Sequence, residues 1–78
     1  MINELESVAL LRDLPEHGLR AGDVGTVVLV HGDRGYEVEF MTLDGETIAV
    51  VSLTVEDVRP IGPREVAQAR PLSGRSSA

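Results

Sequence analysis

This 78-residue chain contains no cysteine, no lysine and no tryptophan, and each absence removes a class of site. Without cysteine the chain has neither disulfides nor thiolate metal ligands, so nothing in it indicates an oxidising compartment. Without lysine it has no Walker-type phosphate loop, which needs Gly-Lys followed by Ser or Thr. Tyr36 and Phe40 are the only aromatic residues, too few to line the groove in which SH3 domains hold proline-rich ligands.

Positive charge is scarce over most of the chain. Residues 1–62 carry 12 acids against four arginines, a net charge of −8, whereas residues 63–78 carry three arginines against one glutamate, a net charge of +2. An acidic domain repels a phosphate backbone, because nucleic-acid binding draws most of its affinity from neutralised phosphates. The acids therefore predict either a solvated surface that maintains solubility or a docking face for a basic partner protein.

The chain also lacks the long apolar runs of membrane and secreted proteins. No run approaches the roughly 20 residues that cross a bilayer. The first residues, MINELESVALL, have no basic region of the kind that opens a signal peptide. We therefore expect a cytoplasmic protein.

Short β-branched runs separated by turn signals predict five strands. The clearest alternation puts Tyr36, Val38 and Phe40 on one face of a strand and Glu37 and Glu39 on the other. The five predicted strands cover residues 6–12, 24–31, 36–42, 47–53 and 58–61.

This order of strands and turns predicts an all-β fold, a small five-stranded SH3-like barrel over residues 1–62. Residues 63–78 contain mostly Arg, Ser, Gly, Pro and Ala and predict a flexible, disordered C-terminal tail. Before the last strand, Thr54 and Asp57 have the spacing of a capping box and predict one helical turn. A further helical turn is predicted over residues 65–70.

The connection between the first two strands contains the most glycine. Pro15 excludes a central strand there, and Gly18 and Gly22 allow the positive φ that a reversing chain needs. Gly18, Gly22 and Gly25 do not match the dinucleotide-binding spacing, and a strand rather than a helix follows Gly25. We therefore predict that these glycines serve geometry, with Gly25 at a close approach of two strands.

No motif for catalysis or for a cofactor is present. The two histidines, His17 and His31, lie in separate segments, whereas a metal site needs three or four convergent ligands. No serine or threonine lies in a nucleophile-type turn. We therefore predict that the chain is not an enzyme and has no cofactor, and that exposed polar side chains bind a partner. These candidate residues are Glu16, His17, Arg20, Glu37 and Glu39.

The segment GLRAGDVGTVVLV, residues 18–30, resembles the KOW-type motif of ribosomal proteins and transcription elongation factors. In those proteins a glycine likewise precedes a Val-x-x-Val strand of an SH3-like barrel. The resemblance implies the barrel, and it implies nucleic-acid binding through Arg12, Arg20 and the basic tail as an alternative function. In place of the Lys and Arg that surround the motif in those proteins, this chain has acids such as Glu16 and Asp23, which disfavour RNA binding.

Five separated blocks carry a wider resemblance over residues 4–61. The chain is similar to a family of small, mainly bacterial and cyanobacterial proteins catalogued as a domain of unknown function. The resemblance implies an SH3-like fold, a stand-alone protein and no assigned catalytic residue. Because such proteins are often encoded beside another small protein, it also implies an antitoxin-like or accessory role. The blocks are VALLRDLP (8–15), GLRAGDVGTVV (18–28), YEVEF (36–40), DGET (44–47) and DVRP (57–60).

We therefore expect a non-catalytic protein-binding module that uses an exposed strand edge or its acidic face. The expected partner is another protein, which would be basic if the acidic face binds it. We expect neither a membrane nor a nucleic acid as partner. Self-association of the chain stays open. Two alternatives also stay open. One is a KOW-like nucleic-acid-binding domain, and the other is an auxiliary subunit that stabilises an enzyme, as SH3-like barrels do in nitrile-hydratase-type subunits.

Overall fold

The computed structural model describes residues 2–72, and its strands form a single antiparallel sheet. The strand order is β4-β3-β2-β1-β5, which leaves β4 and β5 at the two edges. The all-β class and the five strands are confirmed, and the predicted ranges run at most two residues past the observed ends. The strands are β1 (Ser7–Leu10), β2 (Val24–Val30), β3 (Tyr36–Met41), β4 (Thr47–Leu53) and β5 (Val58–Pro60).

The inner face of the sheet encloses an apolar core. Along β3, Tyr36, Val38 and Phe40 are buried, while Glu37 and Glu39 are half-buried on the outer face, as the alternation predicted. Burial of these side chains is the main favourable contribution to folding, at about 25 cal/mol for each Å² of apolar surface. The largest side chains with almost no exposure are those of Phe40, Leu14, Val8, Val27 and Val38.

Gly25 on β2 leaves room for two core side chains of β3. A Cβ atom added at Gly25 would lie 2.6 Å from Val38 Cγ1 and 2.8 Å from Phe40 Cε1. Such distances are well inside van der Waals contact, so only glycine fits without movement of the core. Gly25 therefore has the predicted geometric role, and the close contact is with side chains of β3 rather than with its backbone.

The connection between β1 and β2 is anchored by two buried leucines. Leu14 and Leu19 exchange two backbone hydrogen bonds, of 2.9 and 3.1 Å, and both side chains belong to the core. Between them a 3₁₀ helix, Pro15–His17, ends at Gly18, whose φ of 68° lies in the left-handed region. Gly22 also has a positive φ, of 95°, so the predicted role of both glycines is confirmed.

Between β4 and β5 the chain makes a hydrogen-bonded turn and not the predicted turn of helix. The predicted capping bonds are nevertheless present: the Thr54 N–H donates to Asp57 Oδ2 at 2.9 Å, and the Glu56 N–H donates to Thr54 Oγ1 at 3.2 Å. No helix follows because β5 starts at Val58, where pairing with Leu10 of β1 takes the backbone into the sheet.

Residues 63–72 contain neither helix nor strand, so the helical turn predicted over residues 65–70 is wrong. Side-chain contacts hold this segment instead. The Glu65 carboxylate binds the guanidinium of Arg59 at 2.8 and 2.9 Å and accepts a bond from the Gly62 N–H. Residues 73–78 of the predicted tail lie outside the described residues, and its flexibility stays a prediction.

Candidate functional site

Three of the candidate binding residues lie on the loop between β1 and β2. Glu16 and His17 belong to the 3₁₀ helix, and Arg20 follows its end. All three side chains are exposed, because the burial of Leu14 and Leu19 turns the residues between and after them toward solvent.

Acidic side chains hold the second half of this loop by accepting hydrogen bonds from its backbone. The Arg20 N–H donates to Asp23 Oδ2 at 2.8 Å, and the Ala21 N–H donates to Asp13 Oδ1 at 2.9 Å. These bonds satisfy N–H groups that would otherwise face solvent, so the loop has a defined conformation. Part of the acidic charge of this region is therefore structural.

The other two candidates, Glu37 and Glu39, lie on the outer face of β3. Glu37 Oε2 accepts a bond from Ser52 Oγ at 2.5 Å and lies 2.8 Å from His31 Nε2. The hydrogen bonds from Ser52 and His31 lower the pKa of Glu37. Glu39 Oε2 accepts a bond from Thr47 Oγ1 at 2.6 Å. Neighbouring strands therefore fix the position of both carboxylates.

The five candidates thus form two groups and not one site. Within residues 2–72 no hydrogen bond or ion pair joins Glu16, His17 or Arg20 to the two glutamates. One group lies on the connection between β1 and β2, and the other lies on β3, beyond β2 in the sheet.

Exposed apolar side chains surround the two glutamates, a feature that the sequence analysis missed. Leu29 pairs with Glu37 across β2 and β3, and Val50 pairs with Glu39 across β3 and β4. Paired residues point to the same face, so each carboxylate has an apolar neighbour beside it. Leu29, Met41 and Val50 are 44%, 47% and 53% exposed. We call Leu29, Glu37, Glu39, Met41 and Val50 the outer sheet surface.

A second missed feature is a contact between the C-terminal segment and the loop before β2. Arg70 Nε donates to Asp23 Oδ1 at 2.9 Å, and Arg70 Nη2 donates to Asp23 Oδ2 at 2.5 Å and to the Gly18 carbonyl at 3.0 Å. Partial burial acts to raise the pKa of Asp23, but the bonds from Arg70 and from the Arg20 N–H together lower it. The sequence contains seven arginines, and no local pattern in it indicates that Arg70 is the one that binds Asp23.

Two negative findings apply to the part of the chain that the structure describes. No group of three or more His, Cys, Asp or Glu side chains in residues 2–72 is placed to hold a metal ion. None of the helical structure in the same residues has the length and hydropathy needed to cross a bilayer.

Comparisons with known proteins give a family and nothing further. Neither the curated proteins nor the solved structures include a match to this chain. A family model described as a domain of unknown function, DUF4926, matches residues 4–60, which include all five strands. The chain therefore belongs to the DUF4926 family.

Proposed function

We propose that this chain is a non-catalytic protein-binding module and that it binds its partner through the outer sheet surface and the adjoining edge of the sheet. The observation that carries the proposal is the edge strand β4. It pairs with β3 on one side, and no other strand within residues 2–72 pairs with its second side. An open edge of this kind offers unpaired backbone groups to a strand of another protein.

The composition of β4 supports this reading. Edge strands are usually protected by lysine, proline, charges or bulges. Thr47–Leu53 contains no charged residue and no proline. The irregular register between Phe40 and Met41 affects only the beginning of β4, so Ala49 to Leu53 remain regular.

The chemistry of the outer sheet surface indicates what the partner offers. Its apolar side chains lie beside two carboxylates, a combination that suits an apolar contact flanked by basic residues. The carboxylates of Glu37 and Glu39 already hold fixed positions through neighbouring side chains. A partner would therefore meet them without first ordering them.

Two further parts of the proposal concern the fold type and the biological role. The strand order β4-β3-β2-β1-β5, with one long connection and two hairpins, supports an SH3-like barrel. The proposed role is that of an antitoxin-like or accessory partner of a neighbouring gene product. Carboxylates engage three of the arginines, which supports a protein ligand over a nucleic acid. These pairs are Arg12–Asp57, Arg59–Glu65 and Arg70–Asp23.

A pair of matched substitutions tests the proposal. V50R places a charge on the outer sheet surface at the edge strand β4, whereas V66R places the same charge at a residue that is 95% exposed and lies outside that surface. Tagged wild type, V50R and V66R are purified from the native host at low salt, and the recovered proteins are quantified by mass spectrometry. We expect wild type and V66R to recover one protein in near-stoichiometric amount, and V50R to recover at least tenfold less.

Circular dichroism of the three proteins verifies that each has folded. Equal recovery by V50R and wild type would contradict the assigned surface, and the absence of any stoichiometric protein would contradict protein binding itself. Recovery of nucleic acid in place of protein would favour the KOW-like alternative. If the recovered protein is an enzyme whose assembly depends on this chain, the accessory role is the correct one.

A further inference from the structure

Residues 67–72, which follow the sheet, form one wall of a groove at one end of its outer face. The groove has a volume of about 620 Å³ and lies between residues 67–72 and the β3–β4 hairpin. Val24, Met41 and Ile48 line it from the sheet, and Leu72 lines it from the segment. Because Met41 belongs to the outer sheet surface, the groove continues that surface.

One arginine anchors the segment in this position. The guanidinium of Arg70 makes two parallel bonds to the Asp23 carboxylate and a third bond to the Gly18 carbonyl. The two side chains of the pair are 22% and 18% exposed. Such a forked arrangement is specific for arginine, because an ammonium group does not match both carboxylate oxygens at once. The left-handed turn at Gly18 presents the carbonyl that completes the site.

Apart from the bonds of Arg70, few interactions hold residues 66–72 against the rest of the chain. Among residues 66–72, Arg70 makes the only hydrogen bonds that the described structure contains, and no backbone group of the segment bonds to the sheet. One charged pair and apolar contact therefore oppose the conformational entropy of the whole segment. A short segment on the same chain has an effective concentration in the millimolar range, so a weak interaction suffices to keep it in place.

We propose that an arginine-containing segment of the partner protein displaces residues 67–72 and binds along the wall of this groove that the sheet and the loop before β2 provide, and that residues 67–72 are an internal substitute for it in the free chain. The inference rests on the proposed protein-binding function and specifies the partner chemistry. The partner arginine would take the place of Arg70 on Asp23, and an apolar residue beside it would contact Val24 and Met41. Asp23, whose carboxylate binds the Arg70 guanidinium in the free chain, would bind the partner guanidinium in the same way.

The experiment uses the full chain and a peptide with the sequence of residues 66–72, VAQARPL, labelled with a fluorophore. Binding to wild type, to R70A and to the double variant D23N/R70A is measured by fluorescence anisotropy. We expect R70A to bind the peptide at least tenfold more tightly than wild type, because its own segment no longer competes. The double variant, and the same peptide with alanine in place of arginine, should each lose at least tenfold of that affinity.

Several results would overturn the proposal. Equal binding by R70A and wild type would show that residues 67–72 do not compete for the site. Equal binding of the alanine-containing peptide would show that arginine is not recognised. If wild type is a dimer in sedimentation equilibrium and R70A is a monomer, a second copy of the chain supplies the segment, and the assignment to a partner protein is wrong.

The test remains decisive if R70A fails to fold. Wild type is then titrated with millimolar peptide and observed by NMR, where the arginine peptide should shift the amides of Gly18 and Asp23 and the alanine peptide should not. Failure here leaves the V50R comparison untouched, since that substitution lies outside the groove. A loss of partner recovery in V50R together with no peptide binding would reject the groove alone.

Discussion

At the level of single residues, Gly25 sets the distance between β2 and the side chains of β3. In G25A the new Cβ would lie 2.6 Å from Val38 Cγ1 and 2.8 Å from Phe40 Cε1. Both side chains are buried and cannot move into solvent, so we expect a loss of about 1–3 kcal/mol in the free energy of unfolding. Each kcal/mol corresponds to roughly 4–8 °C in Tm for a domain of this size. Thermal denaturation followed by circular dichroism measures the change.

G62A is the matched control for this substitution. The nearest atom to an added Cβ at Gly62 is Glu65 Oε2, at an ordinary contact distance of 3.5 Å. We expect its stability to remain within about 0.5 kcal/mol of wild type, as for most surface substitutions. If G25A were as stable as G62A, the close approach of β2 to the core would be contradicted.

Among the connecting elements, the turn between β4 and β5 depends on one carboxylate. Asp57 accepts bonds from the Thr54 N–H at 2.9 Å and from Arg12 Nε at 2.8 Å, so it ties this turn to the end of β1. D57A removes both acceptors, and we expect a loss of about 1–2 kcal/mol by analogy with helix N-caps. Urea denaturation of the wild-type and D57A proteins measures the difference.

The neighbouring acid in the same turn provides the comparison. E56A removes the same charge one residue earlier while the Glu56 N–H keeps its bond to Thr54 Oγ1. We expect E56A to change the stability by less than about 0.5 kcal/mol. Equal effects of D57A and E56A would mean that charge in this turn, and not the bonds of Asp57, determines stability.

The strands could be predicted because their patterns are local, whereas the bulges and the anchored loop could not. The alternation of β3 was sufficient to place Glu37 and Glu39 on the outer face. In β2, however, the register shifts between Val27 and Leu29, so the strict alternation of faces is broken there. No two-residue period describes a strand with such a shift.

In the loop before β2, too, only part of the structure could be predicted from the sequence. Its proline and glycines predicted the reversals correctly. Leu14 and Leu19 pair with each other in an isolated bridge and both enter the core, which the glycines and proline of the loop did not indicate. The pair Arg70–Asp23 spans 47 residues of sequence, and any of several acids could have been its partner. Contacts of this kind depend on the assembled fold and leave no local pattern.

In the whole molecule, the two regions of opposite charge contact each other. The sequence places a net charge of −8 on residues 1–62 and +2 on residues 63–78. The structure shows two arginine–carboxylate pairs between these regions, Arg59–Glu65 and Arg70–Asp23. Of these two pairs, only Arg70–Asp23 places a positive charge of the basic region on an acid of residues 1–62, and it does so beside the groove. A basic partner segment that displaced residues 67–72 would restore the same balance of charge.

A third arginine–carboxylate pair, Arg12–Asp57, makes the stability of the molecule depend on acid pH. Hydrogen bonds from Arg12 and from Thr54 lower the pKa of Asp57 below its ordinary value of 3.8. A carboxylate with a lowered pKa stabilises the folded state fully above its ordinary pKa, and that stability is lost as the pH falls through the lowered value. We expect the urea midpoint of the wild type to be nearly constant from about pH 7 to 5 and to decrease below about pH 4.

The variants R12A and R34A test which pair causes this decrease. In R12A, Asp57 loses its main partner, so the decrease in the urea midpoint should be smaller. R34A removes an arginine that has no carboxylate partner in residues 2–72, so it should keep the wild-type profile. Identical profiles for R12A and R34A would contradict the contribution of the Arg12–Asp57 pair.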